Sequence, residues 1–236
     1  MVEGRIHSFE SLGAVDGPGI RFIIFMQGCS LQCQYCQNRD TWDIHGGTTY
    51  TVEQVLEKVR KYKNYIMPNG GVTISGGEPL LQPHFLIALL QELKKEGIHT
   101  CIDTSGSFTI TTVLQEVIDL TDLFLLDIKC IDDEKCLSLT GISNQKELAF
   151  ARYLSDHYKT MWIRQVLIPG ITDNEEDLIH LREFITTLKT VERVEFLPYH
   201  NLGKFKWNEL HLNYPLEGVR TANQEDVKRA QKILGI

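Results

Sequence analysis

The chain predicts an α/β fold, a partial (β/α)6 TIM-like barrel, on three observations. Short β-branched or apolar runs alternate six times with longer helix-like segments, the pattern of a parallel sheet with crossover helices. A closed (β/α)8 barrel needs eight strands and typically ~250 residues, which six units in 236 residues do not reach. Each run also ends in reactive or unusual chemistry: Gly28-Cys29, Ser75-Gly76-Gly77-Glu78, Asp103-Thr104, Asp127-Ile128-Lys129, Arg164 and Tyr199-His200. In parallel β/α folds such groups gather at the carboxyl ends of the strands, so packing alone is a poor account of them.

Taken in order, the first strand is expected over 20–26, ending at Gln27-Gly28 and running into a cysteine loop. A helix over 52–67 follows, with Thr51 as cap, Glu53 and Glu57 in its first turns and Val52, Val55, Leu56 and Val59 as its apolar stripe. The second strand is 71–75, and a helix over 85–96 closes at Gly97. The third strand, 98–103, precedes a helix near 111–120; the fourth, 123–129, precedes helical segments at 133–139 and 145–158. The fifth, 160–168, leads to a helix over 174–189, and the sixth, 194–197, to a last helix over 224–234. With no repeat, low-complexity tract or Pro/Ser-rich linker, one domain over 1–236 is the expected organisation.

Composition narrows the function. A chain with 42% hydrophobic and 23% charged residues folds as an ordinary globular protein. Its formal net charge of −7 offers no global positive field for nucleic acid or an anionic membrane. No apolar run approaches the ~20 residues that span a bilayer, and the N-terminus lacks a basic region followed by an apolar one, so the cytoplasm is the expected compartment. Thiols stay reduced there, and the six cysteines read as ligands, nucleophiles or core fillers. Cys101, Cys130 and Cys136 are scattered and read as small buried hydrophobes.

Cys29, Cys33 and Cys36, spaced x3 and x2, supply three thiolates from one loop. A closed structural zinc site needs four ligands and usually pairs two short Cys motifs, so zinc would require a distant ligand such as His45; three unliganded thiols is the other bland alternative. A 4Fe-4S cluster held by three cysteines leaves one iron without a protein ligand, which is a reactive position.

The loop Cys29-Ser30-Leu31-Gln32-Cys33-Gln34-Tyr35-Cys36, with an aromatic before its last cysteine, resembles the signature of radical S-adenosylmethionine enzymes, and Ser75-Gly76-Gly77-Glu78-Pro79 resembles their second motif. Four further stretches narrow the likeness to the activases of glycyl radical enzymes: residues 4–11, Val15-Asp16-Gly17-Pro18-Gly19-Ile20-Arg21, Asn38-Arg39-Asp40-Thr41-Trp42-Asp43 and Leu197-Pro198-Tyr199-His200. The resemblance implies the radical SAM type of partial barrel, with a cluster loop at 28–37. It also implies S-adenosylmethionine chelated by the open iron and cleaved reductively to a 5′-deoxyadenosyl radical, which abstracts a Cα hydrogen from a glycine of a partner enzyme in anaerobic metabolism. The cofactors carry the chemistry; the protein positions them.

Several residues acquire roles from that resemblance. Gly76, Gly77 and Glu78 suit the methionine amino group, although a plain strand-to-helix turn would read the same way. Asp103 can accept from an ammonium and Lys129, after Asp127 and Ile128, can pair with a carboxylate or ribose; either could be half of an ordinary ion pair. Asp103 and Asp127 together call for a positive group, for which Lys129, the substrate ammonium or a monovalent cation with Thr104 are the choices. Tyr35, Cys36 and Gln37 resemble the stretch beside the adenine, and His200 a cofactor contact; Gln37 stands where some relatives have an imidazole. Arg164 needs an anionic partner if buried, either the cofactor carboxylate or a structural acid.

Asp16, Gly17, Pro18, Gly19 and Arg21 form a rigid turn that the resemblance places where the partner's glycine loop enters; a tight turn with Asp16 paired to Arg21 is the bland alternative. The chain has no ferredoxin-like insert with further cysteines, which favours pyruvate formate-lyase as partner over an anaerobic ribonucleotide reductase, with a low-potential donor such as flavodoxin or ferredoxin. A deazapurine synthase-like enzyme would lack the Asp-Gly-Pro-Gly turn. An iron–sulfur electron carrier or sensor would need no adenosylmethionine pocket.

Overall fold

The structure is a computed structural model that describes residues 2–236. Among the described residues, eight strands form one open sheet in the order β3-β1-β2-β4-β5-β6-β7-β8. The strands are β1 Glu3–Gly13, β2 Arg21–Met26, β3 Thr48–Thr51, β4 Gly71–Gly76, β5 Thr100–Thr104, β6 Leu123–Asp127, β7 Met161–Leu167 and β8 Val191–Pro198. From β2 onward, β3 apart, they follow chain order, and the β2–β4, β4–β5 and β7–β8 pairs are parallel. The six expected β/α units are therefore present.

Two strands were not anticipated. β1 pairs antiparallel with both β2 and β3, and its register against β2 shifts between Ile6 and Ser8 and again between Glu10 and Gly13. Those irregularities break the period-2 alternation by which a strand is recognised. β3 is four residues long and runs directly into the next helix.

The helices are α1 Val52–Arg60, α2 Lys63–Ile66, α3 Pro83–Lys95, α4 Thr112–Leu120, α5 Asp133–Thr140, α6 Gln145–Asp156, α7 Glu175–Thr186, α8 Lys204–Glu209 and α9 Gln224–Leu234. The segment expected as one helix over 52–67 is split into α1 and α2. Thr51 caps α1 through a reciprocal pair of bonds with Gln54, two orphan amides satisfied at once. α8 lies outside every expected element. α9 has the bounds read from the sequence; Asn223 accepts from its first amides, and Gly235 ends it at φ 81°.

The described chain divides into two compact units: residues 2–30, 41–104 and 108–125, and residues 31–40, 105–107 and 126–236. In the first, Phe22, Ile24, Val72, Ile74, Leu86, Leu89, Leu90 and Val117 are buried. In the second, Phe150, Ala151, Leu154, Met161, Ile163, Leu167, Leu178 and Leu181 are buried. Cys101, Cys130 and Cys136 are buried too, and burial pushes their thiols up to about 12, 11 and 12.

Gly4 of β1 shows how closely the first unit packs. A Cβ there would stand 2.5 Å from the Phe85 ring, itself 2% exposed. Gly4→Ala should destabilise the protein by about 1–3 kcal/mol, the usual cost of overpacking, read as a lower denaturant midpoint.

Candidate functional site

In the first unit, the site residues lie at the carboxyl ends of β2, β4 and β5. β2 runs out through Gln27 and Gly28 to Cys29, and this exit is fixed by Gly28 N–H donating to Thr41 O at 2.7 Å. The β4 exit lies against it: Gly77 N–H donates to Met26 O at 3.0 Å and Glu78 N–H to Gly28 O at 2.8 Å. Gly76 has φ +107°, a conformation that L side chains rarely adopt, and a Cβ on Gly77 would stand 2.1 Å from Gly28 O. The backbone these glycines admit closely is that of the β2 exit, and the turn holds the start of the cysteine loop in place.

Glu78 is 2% exposed; its carboxylate accepts from Leu80 N–H at 3.1 Å and from Thr104 Oγ1 at 2.6 Å. Ser75 Oγ donates to Asp103 Oδ2 at 2.7 Å. The second-motif turn and the end of β5 are thus tied by two hydroxyl-to-carboxylate bonds, each stronger than a neutral pair.

Asp16 and Arg21 flank the turn before β2. Arg21 is fully buried and all five of its N–H donors face protein acceptors: Thr73 Oγ1, Pro18 O, His99 Nδ1, Val72 O and His99 O. A guanidinium has five donors and no more, so the Arg21 side chain is fully engaged within the fold and bears on the turn from inside it. Burial pulls its pKa below the ordinary value, against Cys101, Asp122 and Asp16, which raise it.

In the second unit, residues 31–40 carry the rest of the cysteine loop. Gln32 N–H donates to Thr140 O at 2.7 Å and Gln34 N–H to Leu139 O at 2.9 Å, which pins the loop to the end of α5. Cys33 is buried and Cys36 half-buried. Burial is the main cause that pushes the Cys33 thiol up to about 12, with Lys129 opposing it. Gln37 Nε2 donates to His200 O at 2.9 Å and to Tyr35 O at 3.3 Å. The His200 residue is exposed.

Beneath the loop lies a cluster of charges. Lys129 Nζ donates to Asp127 Oδ2 at 2.6 Å and stands 6.0 Å from the Tyr35 ring centroid. Arg164 Nε is 3.9 Å from Asp127 Oδ1, and Ile128 N–H donates to Arg164 O at 2.8 Å. Burial opposes the charge on Lys129, but Asp127, with Tyr35 and Cys33, outweighs it and holds the ammonium well above its ordinary value. Of the positive groups that could neutralise Asp127, Lys129 does so directly.

Two residues here were not anticipated. Glu147 on α6 is 1% exposed and accepts Lys129 N–H at 2.8 Å; its place in an ordinary helical pattern hides it. Burial raises its pKa well above the carboxylate range. The native state then binds a proton that the unfolded chain has released, so stability falls as pH rises from the unfolded value of about 4.5 toward the folded one. Glu147→Gln keeps the acceptor without a buried charge and should raise the melting midpoint at pH 8 more than at pH 5. The second is Trp207 on α8, whose Nε1–H donates to Cys36 O at 3.1 Å, while Lys206 Nζ reaches Asp40 Oδ1 at 2.9 Å.

Among the described residues, no three His, Cys, Asp or Glu side chains are gathered in metal-ligating geometry. The donor set still fits a 4Fe-4S cluster, since three thiols within eight residues and no second Cys motif suit it better than a closed zinc site. Buried Tyr35 Oη, Asp127 Oδ1 and Gln165 Oε1 have no hydrogen-bond partner. Polar atoms buried in that way require an explanation, and a polar cofactor supplies one.

An open β/α sheet whose first parallel strand delivers a Cys-x3-Cys-x2-Cys loop defines the class of radical SAM enzymes, and the pattern of the Radical SAM superfamily matches residues 23–182. Over 99% of its length the chain is 51% identical to a pyruvate formate-lyase-activating enzyme of Listeria monocytogenes, covering 96% of that protein. It is 47% identical to the pyruvate formate-lyase 1-activating enzyme of Escherichia coli, with the same two coverages. A crystal structure of a domain of a pyruvate-formate lyase-activating enzyme from Bacteroides vulgatus superimposes with a TM-score of 0.59 at 28% identity, covering 70% of this chain and 93% of that domain. The chain belongs to the pyruvate formate-lyase-activating enzymes of the radical SAM superfamily.

Proposed function

We propose that the chain activates pyruvate formate-lyase under anaerobic conditions by generating a glycyl radical on it. The observation that carries this reading is a three-cysteine loop at the end of the first parallel strand, in a chain half identical over nearly its whole length to an enzyme of that name. When bound, a 4Fe-4S cluster and S-adenosylmethionine supply a reductive cleavage whose 5′-deoxyadenosyl radical removes a glycine Cα hydrogen.

The protein's own residues hold, orient and shield. Cys29, Cys33 and Cys36 would hold the cluster through three thiolates. The turn Gly76-Gly77-Glu78 and the carboxylate of Asp103 serve the methionine amino group. Lys129 and Arg164, with Asp127 and Ile128 setting their position, serve carboxylate and ribose oxygens. Tyr35, Gln37 and His200 serve the adenine side. Asp16, Gly17, Pro18 and Gly19 receive the glycine-bearing loop, with Arg21 bracing the turn through Pro18 O.

A monovalent cation on oxygens of Asp103, Thr104 and Asp127 belongs to the same proposal on chemical grounds alone. So do a low-potential donor such as flavodoxin or ferredoxin, a single functional domain over 1–236, and a cytoplasmic setting in which thiols stay reduced.

The test is made under strict anoxia with reconstituted protein, S-adenosylmethionine, a strong reductant and inactive pyruvate formate-lyase. A glycyl-centred doublet in the electron paramagnetic resonance spectrum is expected. Release of 5′-deoxyadenosine without that doublet would leave the radical chemistry standing and move the partner to another glycyl radical enzyme. A cluster that binds no S-adenosylmethionine would return the chain to the electron carriers.

A further inference from the structure

The turn Asp16-Gly17-Pro18-Gly19 rests on a buried brace that lies wholly within the first unit. Arg21 is 0% exposed and its Nε donates to Thr73 Oγ1 at 2.9 Å. Its Nη2 donates to Val72 O at 2.5 Å, and its Nη1 stands 3.2 Å from His99 Nδ1 and 3.4 Å from Pro18 O. Since a guanidinium only donates, His99 Nδ1 is an acceptor there. Thr73 of β4, also 0% exposed, passes the interaction on: its hydroxyl donates to Asp16 O at 2.6 Å. Gly17 has φ +118°, and a Cβ on it would stand 3.0 Å from Cys101 Sγ, so the turn is seated against β5 with no side chain between.

One threonine hydroxyl therefore joins a committed, buried cation to the backbone of Asp16. A hydroxyl both donates and accepts, and Thr73 uses both capacities at once, accepting from Arg21 and donating to the turn. Removing the methyl group would leave this relay intact. Removing the hydroxyl leaves Arg21 Nε–H and Asp16 O facing each other's absence in a buried place.

We propose that Thr73, held by Arg21, is a positioning residue that sets the shape of the turn receiving the partner's glycine-bearing loop, and that it acts on partner recognition separately from S-adenosylmethionine binding. The inference rests on the activase reading above and deepens it, assigning recognition of the glycine-bearing loop to a backbone geometry that a β4 hydroxyl controls.

The experiment compares reconstituted wild type, Thr73→Val and Thr73→Ser. In Thr73→Val the KM for pyruvate formate-lyase should rise about tenfold, the weight of one lost hydrogen bond. The ratio of 5′-deoxyadenosine released to glycyl radical formed should rise with it, while the KM for S-adenosylmethionine stays. Thr73→Ser should restore all three values. An unchanged partner KM in Thr73→Val overturns the proposal, as does a KM for S-adenosylmethionine that rises in step. If Thr73→Val does not fold, Thr73→Cys keeps the volume with a weaker donor; a raised partner KM alone is again expected, and an unchanged one overturns the proposal. The wild type is measured first: no glycyl doublet there means that the activase reading has failed before the role of Thr73 is reached.

Discussion

Cys33→Ala should lose the cluster and, with it, glycyl-radical formation down to background. Two thiols remain in the variant loop, and a cubane held by two protein ligands exposes two irons to solvent and exchange. The loop has no spare thiol: the other three cysteines are buried and lie outside it, at 101, 130 and 136. Iron per chain and the reduced-cluster resonance after reconstitution are the measurements. Iron retained at the wild-type level in Cys33→Ala, or lost equally in Cys136→Ala, would show that the three-cysteine assignment is wrong.

Lys129→Met should be the most damaging single change in the second unit. It leaves Asp127 without its 2.6 Å partner, in a place where both side chains are less than one-fifth exposed. Breaking such a pair from one side typically costs about 3–5 kcal/mol. Adding Asp127→Asn removes the stranded charge and should recover most of the stability, yet it should not recover affinity for S-adenosylmethionine, because the cation itself is gone. A double variant that regains both would assign Lys129 to structure alone.

The same pair sets an alkaline limit. The Lys129 ammonium is held above its unfolded value of 10.5, so its contribution is complete below that pH and is lost as pH rises through the folded value. Wild type should therefore lose more stability than Lys129→Met/Asp127→Asn between neutral pH and pH 11. Equal losses would mean that the carboxylate does not hold the proton on Lys129.

The legible parts of the sequence were those in which one physical signal dominates. The apolar runs that became β2 and β4 to β7 are buried strands, and α9 carries an Asn cap, an acidic first turn and a terminal glycine. β1 was missed because bulges at Ile6/Ser8 and Glu10/Gly13 destroy its alternation. α8 is six residues long, too short for a period to register. The helix expected over 52–67 breaks after Arg60, where no glycine or proline announces it.

For the site, strand ends and cysteine spacing pointed to the right residue types, but second partners were invisible. That Arg21 is buried beneath the turn could not be read, because sequence carries no measure of burial. Glu147 and Trp207 act on Lys129 and Cys36 through backbone bonds, which leave no spacing signature.

An open sheet has two rims of unpaired backbone, and rims of this kind invite other chains to add a strand. Here one rim is β3, four residues of which the first two are exposed, ending where α1 turns the chain away. The other is β8, where Arg193 and Glu195 pair at 2.9 Å and Pro198 ends the strand without an N–H to offer. The shortness of β3, and the charged pair and terminal proline of β8, are features that discourage the addition of a further strand.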